Sequence, residues 1–270
     1  MSGFLEVREG ASSLILSMPH GGRELVPGLA ERLTEAGRAL ADTDWWIERL
    51  YDFAGDLDAS VVRTQLSRTV IDVNRDPSGA SLYPGQATTG LCPIETFDGV
   101  PLYGDGAAPD AGEIADRTQR YFAPYHAALA AQIERAKAAH GYALLYDCHS
   151  IRSVVPRLFE GALPVFNIGT NEGASCAPGV QQAVADVCAA AEGYSHVVNG
   201  RFKGGWITRQ YGRPDAGVHA VQMELAQHAY MDEAPPWTFD EAKAARLRPV
   251  LRAVLQAMQG WAGTNVRERA

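Results

Sequence analysis

Two histidines and one glutamate are the side chains of this chain best placed for metal-dependent chemistry. His20 and His149 each follow a short apolar run, and Glu224 alternates with apolar residues in a third. Ligands of open α/β sheets bind beyond the carboxyl ends of strands, where both histidines are predicted to lie. A catalytic zinc takes three protein ligands from histidine and carboxylate side chains and leaves a position for water. The pattern predicts a site for one divalent metal ion; zinc is the first candidate, although manganese and iron accept the same ligand types.

Glu224 is the candidate general base of such a site. A buried carboxylate without a partner is costly, so its place in an apolar strand calls for a metal or a salt bridge nearby. Beside a metal-bound water, whose pKa falls towards about 7, a glutamate can take the proton and pass it to a leaving nitrogen. A purely structural salt bridge is the competing interpretation. A serine hydrolase is not predicted, because the chain has no Gly-x-Ser-x-Gly elbow.

The third metal ligand has three candidates. Glu24 shares a loop with His20, whereas Asp42 and Asp44 stand at the start of a predicted helix. Either aspartate could instead cap that helix. Asp147 is a candidate for a supporting group that orients an imidazole rather than a ligand.

Six cationic side chains stand in two short segments of a chain whose net charge is -8. Guanidinium groups bind carboxylates in a two-pronged fashion, so these segments could hold a small substrate that carries several carboxyl groups. A solvated basic loop paired with surface carboxylates is the alternative. The six residues are Arg63, Arg68, Arg75, Arg201, Lys203 and Arg209.

Composition excludes several classes of partner. The acidic balance and the pI near 5.4 leave no basic surface excess for nucleic acid or an anionic membrane. No apolar run approaches the roughly 18 residues of a membrane span, and the four cysteines form no Cys-x-x-Cys pair. We expect a cytoplasmic protein with free thiols, folded as one domain over 1–270, and assign it no oligomeric state.

The hydrophobic pattern predicts strands that alternate with helices. Predicted strands cover 13–18, 59–63, 69–73, 141–146, 162–168 and 219–225. Predicted helices cover 42–53, 110–140 and 178–192, with a last helix from Thr238, and 74–89 is predicted to be a surface loop. This alternation is typical of an α/β protein with layers of helices on a sheet.

Five separated segments resemble the N-formylglutamate deformylase family, in the family's order and over most of the chain. They are Ser17–Gly22, Asp42–Trp45, Ser67–Arg75, Asp147–Ser153 and Asn199–Gly212. The resemblance implies a three-layer αβα fold with a central mixed sheet, similar to zinc carboxypeptidases. It also implies zinc-dependent hydrolysis of N-formyl-L-glutamate to formate and L-glutamate, the last step of one bacterial route of histidine degradation.

The resemblance also implies roles for single residues. His149 resembles a zinc ligand, Glu224 the general base, and Arg68 the group that polarises the scissile carbonyl. Asn74 and Arg75 resemble the Asn-Arg pair that holds the α-carboxylate of the substrate. The further substrate-binding residues assigned from the segment that begins at Asn199 are Arg201, Thr208 and Arg209.

One departure bears on the metal ligands. Carboxypeptidases use a His-x-x-Glu pair, whereas Arg23 stands where that glutamate would follow His20. Members of the deformylase family resemble one another around Asp44 instead, so the expected ligands are His20, Asp44 and His149. A deacylase for N-succinyl or N-acetyl amino acids, a small carboxypeptidase, and a metal-dependent binding protein for acidic ligands without turnover remain the alternatives.

Overall fold

A computed structural model describes residues 3–80, 85 and 88–265 of the chain. Its centre is a seven-stranded mixed sheet in the order β1-β3-β2-β4-β7-β5-β6. Neighbouring strands are parallel except that β1 runs antiparallel to β3, and β5 runs antiparallel to β7. The strands are β1 Leu5–Arg8, β2 Leu14–Met18, β3 Ser60–Thr64, β4 Ala143–Ile151, β5 Phe166–Gly169, β6 His196–Val198 and β7 Val218–Ala226.

In the described part of the chain, seven α-helices connect or cover the strands. They are α1 Glu35–Ala39, α2 Ile47–Leu50, α3 Ala111–Arg117, α4 Ala123–His140, α5 Pro178–Ala190, α6 Trp206–Tyr211 and α7 Glu241–Asn265. A π-helical turn over Thr118–Phe122 joins α3 to α4, so the predicted helix 110–140 is confirmed as one continuous helical stretch. It begins at the N-cap Asp110 and ends where Gly141 takes a positive φ.

Two hydrophobic cores lie on opposite faces of the sheet, because successive strand residues point to opposite sides. In β2, Leu14 and Leu16 belong to one core with α5 and α7, while Ile15 belongs to the other with α4. The α/β prediction and the mixed sheet are therefore confirmed. No helix among the described residues is long and apolar enough to cross a membrane.

The predicted strand 69–73 is wrong. Val70, Ile71 and Val73 are buried as an apolar run should be, but the backbone turns instead of pairing with a sheet. Side chains instead of a neighbouring strand accept hydrogen bonds from backbone N–H groups at both ends of this segment. Ser67 Oγ accepts from the N–H of Thr69, and Asp72 Oδ1 accepts from the N–H of Asn74. Local bonds of this kind compete with a sheet ladder, and periodicity does not register them.

The boundaries of two predicted helices also differ from those in the structure. Residues 42–53 form the short helix α2 and part of a 3-10 turn instead of one long helix. The last helix begins at Glu241, because Asp240 caps it by accepting from the N–H of Lys243. The predicted loop 74–89 has no helix or strand where it is described, and 81–84 and 86–87 lie outside the described residues.

Candidate functional site

Three buried side chains meet near the carboxyl ends of β2 and β4. His20 lies two residues beyond β2, Asp44 lies between α1 and α2, and His149 lies within β4. One ligand atom from each lies within 4.8 Å of the others. The N–H of Asp44 donates to the carbonyl oxygen of His20 at 3.1 Å, which joins the two loops. His149 was expected just past its strand; β4 is longer than predicted and continues to Ile151.

The two alternative third ligands are engaged elsewhere. Asp42 Oδ2 accepts from the N–H of Phe97 at 2.7 Å, and Asp42 Oδ1 lies 3.5 Å from the Arg152 guanidinium. Glu24 lines a separate pocket that also includes Gln65. Within the described part of the chain, the His–Asp–His group is the cluster whose geometry could hold a metal ion.

Both imidazoles present the same nitrogen to the centre of this group. His20 Nδ1 and His149 Nδ1 lie 3.6 and 3.0 Å from Asp44 Oδ2. Their Nε2 atoms lie 2.7 Å from Asp72 Oδ1 and 2.8 Å from Asp147 Oδ2. A carboxylate that accepts from Nε2–H leaves the Nδ1 lone pair for a metal. Buried His20 Nδ1 has no hydrogen-bond partner, as expected for a ligand atom.

Charge concentrates strongly in this group. Burial would raise the pKa of Asp44, but His20 and His149 beside it hold that pKa well below its ordinary range. Burial would lower the pKa of His149, but Asp147 and Asp44 raise it well above the ordinary value. The buried carboxylates therefore favour the protonated form of His149, and a divalent cation bound among them would compete with that proton.

Glu224 faces the same group from the neighbouring strand. It is the Cα partner of His149 across the parallel pair β4 and β7, and only 7% of it is exposed. Gln222 Nε2 donates to Glu224 Oε2 at 3.2 Å. Burial raises the pKa of Glu224 to about 8, against a smaller opposing effect of His149. A carboxyl with a pKa near neutrality suits general acid–base work.

Arg68 is fixed beside the centre by a carboxylate that the sequence analysis missed. Arg68 Nη2 donates to Asp72 Oδ2 at 2.6 Å, and the guanidinium lies over the ring of Phe97 at 4.8 Å. Arg75 Nη2 lies 3.5 Å from the same oxygen of Asp72. The available signal was an acid inside an apolar run, with arginines four residues before it and three after it.

Asn74 links the centre to α6. Its Nδ2 donates to Asp147 Oδ2 at 3.3 Å and lies 3.0 Å from His149 Nε2, while its Oδ1 accepts from the N–H of Ile207 at 2.7 Å. A side chain at Gly205 would collide with this amide. The Asn74 amide is therefore held from both sides.

The centre opens into a cavity of about 210 Å³. Its lining combines cationic and apolar side chains, which suits a small anionic ligand with an uncharged part. The cationic members are Arg68, Arg75 and Arg201, and the apolar members include Phe97, Ile151, Leu158 and Phe202.

The remaining predicted contacts lie outside this lining. Thr208 is fully buried, and Arg209 Nε donates to the carbonyl oxygen of Gly204 at 2.9 Å. The methyl group of Thr208 also lies against Gly204. Lys203 and Arg63 pair with exposed glutamates. Thr208 and Arg209 therefore support the glycine turn beside the cavity, and the structure does not bring them to its surface.

The fold and the site together define an α/β protein with a buried His–Asp–His centre that opens into an arginine-lined cavity. The chain belongs to the N-formylglutamate amidohydrolase family, whose model matches residues 12–231. The resemblance stated from the sequence is confirmed.

Named relatives match almost end to end. The chain is 51% identical to the N-formylglutamate deformylase of Pseudomonas aeruginosa, over 97% of this chain and 98% of that one. It is 49% identical to the N-formylglutamate deformylase of Pseudomonas putida, over 97% of each chain. The crystal structure of an N-formylglutamate amidohydrolase from Ralstonia eutropha has the same fold, with a TM-score of 0.78, 24% identity and 98% of each chain covered.

Proposed function

We propose that this protein hydrolyses N-formyl-L-glutamate to formate and L-glutamate. The two Pseudomonas relatives carry the name of that activity, at 51% and 49% identity. The observation that carries the proposal is the convergence of the His–Asp–His group, buried Glu224 and three arginines on one small cavity. The released glutamate would complete the histidine-degradation step that the family resemblance implies.

One divalent metal ion, which we propose to be zinc, fits the residues present. His20 Nδ1, Asp44 Oδ2 and His149 Nδ1 would hold it. The carboxylate oxygen lies 3.6 and 3.0 Å from the two imidazole nitrogens, and all three atoms lie within 4.8 Å of one another, so one ion could contact all three. When bound, zinc supplies Lewis acidity and a water whose pKa lies near about 7.

Glu224 then handles the proton. Its carboxylate takes a proton from the attacking water as the oxygen adds to the formyl carbon, and returns a proton to the nitrogen as the C–N bond breaks. The oxygen of the water leaves in formate. Its two protons end on the amino group of glutamate, one passed on by Glu224 and the other released when the nascent formic acid ionises. Arg68 stabilises the negative charge that develops on the formyl oxygen, because its guanidinium is already desolvated and fixed.

The substrate carboxylates would pair with Arg75 and Arg201, which both line the cavity. Arg75 is fixed by two bonds to Thr89, one to its carbonyl and one to its hydroxyl oxygen, each 3.1 Å long. Arg201 Nε donates to the carbonyl oxygen of Leu158 at 2.7 Å. Anchored guanidinium groups lose little entropy when they bind a carboxylate. Asn74 would act beside Arg75, while Thr208 and Arg209 would act through the glycine turn they support.

Formate release tests the proposal. Purified protein loaded with zinc should release formate from N-formyl-L-glutamate, lose the activity on dialysis against a chelator, and regain it with zinc. A panel of N-acetyl and N-succinyl glutamates and C-terminal dipeptides separates a related deacylase or a small carboxypeptidase from the proposed enzyme. An acidic-ligand binding protein would bind N-formyl-L-glutamate and leave it intact over an NMR time course, which would refute the proposed reaction.

A further inference from the structure

Asp72 lies beside the cavity with no part of it exposed, and four polar groups contact its carboxylate. Its Oδ1 accepts from His20 Nε2 at 2.7 Å and from the N–H of Asn74 at 2.9 Å. Its Oδ2 accepts from Arg68 Nη2 at 2.6 Å and lies 3.5 Å from Arg75 Nη2. The two oxygens therefore serve two different halves of the site: one holds a candidate metal ligand, and the other holds two arginines.

We propose that Asp72 is a positioning residue. It holds the metal-binding half of the site, which contains His20, and the anion-binding half, which contains Arg68 and Arg75, in one fixed geometry. This inference rests on the proposed function. Through Oδ1 it fixes the tautomer and the ring orientation of His20. Through Oδ2 it fixes Arg68 and Arg75 on the opposite side. A rigid carboxylate between them keeps the distance from metal to bound carboxylate constant, which is what hydrolysis of one small substrate requires.

Asp72 also provides the closer of the two carboxylates that Arg68 contacts. Arg68 Nη2 lies 2.6 Å from Asp72 Oδ2, whereas its Nη1 lies 3.6 Å from Oδ1 of the candidate ligand Asp44. A buried guanidinium that loses one carboxylate partner shifts towards the other, because an unpaired buried charge is costly. Without Asp72, Arg68 would therefore pair more tightly with Asp44 and compete with a metal for that carboxylate.

Asp147 provides a matched control. It holds the second imidazole in the same way, with Oδ2 2.8 Å from His149 Nε2, and its Oδ1 accepts from Ser17 Oγ at 2.7 Å. None of its hydrogen bonds among the described residues comes from an arginine. Asp147 therefore holds an imidazole and the Asn74 amide but neither Arg68 nor Arg75. The same Asp→Asn change at the two positions separates the support of an imidazole from the support of the arginines.

The test compares Asp72→Asn and Asp147→Asn with the unmodified protein. Zinc affinity is measured by competition with a chelator, and the affinity for L-glutamate is measured by calorimetry at saturating zinc. Both variants should lose about 10- to 100-fold in zinc affinity, the usual effect of removing a group that orients a metal-bound histidine. Only Asp72→Asn should also lose glutamate affinity, by roughly tenfold or more, because only it releases the arginines.

Zinc affinity unchanged in Asp72→Asn, or equal loss of glutamate affinity in both variants, would overturn the proposal. If Asp72→Asn does not fold by near-UV circular dichroism, Arg75→Gln and Arg201→Gln replace it. Arg75 Nη2 lies 3.5 Å from Asp72 Oδ2, whereas Arg201 Nε donates to the carbonyl oxygen of Leu158. Removal of the cation beside Asp72 makes that carboxylate a stronger acceptor for His20 Nε2–H, so Arg75→Gln should tighten zinc affinity severalfold and Arg201→Gln should not. Equal effects of the two changes would refute the link. Absence of formate release from a protein that binds zinc refutes the proposed function alone, and absence of zinc binding refutes both.

Discussion

Replacing Glu224 by glutamine should raise the stability of the metal-free protein and abolish most of its activity. Only 7% of Glu224 is exposed, and burial raises its pKa to about 8 from 4.5. The folded protein then holds a proton on Glu224 that the unfolded chain releases above about pH 4.5, so this residue lowers stability as the pH rises from 4.5 towards 8. Glutamine matches the shape of the protonated carboxyl and carries no such penalty.

The size of the effect follows from the two pKa values. At pH 7 the pH is about 2.5 units above the pKa of the carboxyl in the unfolded chain, whereas the carboxyl in the folded protein is still mostly protonated. This difference lowers the free energy of unfolding by about 3 kcal/mol. At pH 5 the same difference has shrunk to about 1 kcal/mol. For a chain of this size, about 3 kcal/mol moves the thermal midpoint by roughly 6 °C or more.

Chemical denaturation in the presence of a chelator, at pH 5 and pH 7, measures the stability difference between Glu224→Gln and the unmodified protein. Formate release with zinc should fall by about 10²- to 10⁴-fold, the usual contribution of a general base. Glu134→Gln is the matched control: Glu134 is exposed and pairs with Lys137, so stability should change by less than about 0.5 kcal/mol. If Glu224→Gln is no more stable than the unmodified protein at pH 7, the raised pKa of Glu224 is refuted. If the variant keeps full activity, the role of Glu224 as general base is refuted.

Three further outcomes are expected. His149→Ala should lose zinc by metal analysis, because it removes one of the three ligands. Burial lowers the pKa of half-buried His126 to about 4, so the contribution of His126 to stability should fall by about 2–3 kcal/mol as the pH drops from 6.5 to 4. In denaturation curves, His126→Gln should gain that much stability relative to the unmodified protein over this range. Arg201→Gln should raise KM by about tenfold or more with little change in kcat, by steady-state kinetics. An unchanged KM would remove Arg201 from carboxylate binding.

The sequence predicted those parts of the site that follow from local order along the chain. His20 and Glu224 stand in or beside apolar runs that became strands, so their convergence at one edge of the sheet was predictable. Asp44 was selected by family resemblance, because helix capping explained it equally well. Its position depends on a bond to the His20 carbonyl, 24 residues away, and no periodicity encodes such a contact.

Asp72 is a residue of the site that the sequence analysis did not predict. Its neighbours Val70, Ile71 and Val73 have the composition of a buried strand, and the pattern predicted one. In the buried turn, Asp72 reaches a histidine and two arginines at once, whereas a flat strand would point it to a single face. These contacts override the strand preference of the neighbouring residues, and periodicity does not encode them.

The formal charges around the cavity show what the buried site needs in order to be neutral. Four carboxylates, Asp44, Asp72, Asp147 and Glu224, surround the centre, and two guanidinium groups from the 67–75 segment pair with Asp72. Fully ionised, this buried set carries two negative charges in excess. A divalent cation with neutral imidazoles would balance them. Without a metal, protons on Glu224 and His149 would supply the same two charges, and the pKa values of both groups are raised. One divalent metal ion would supply both charges at once, which supports the metal site proposed above.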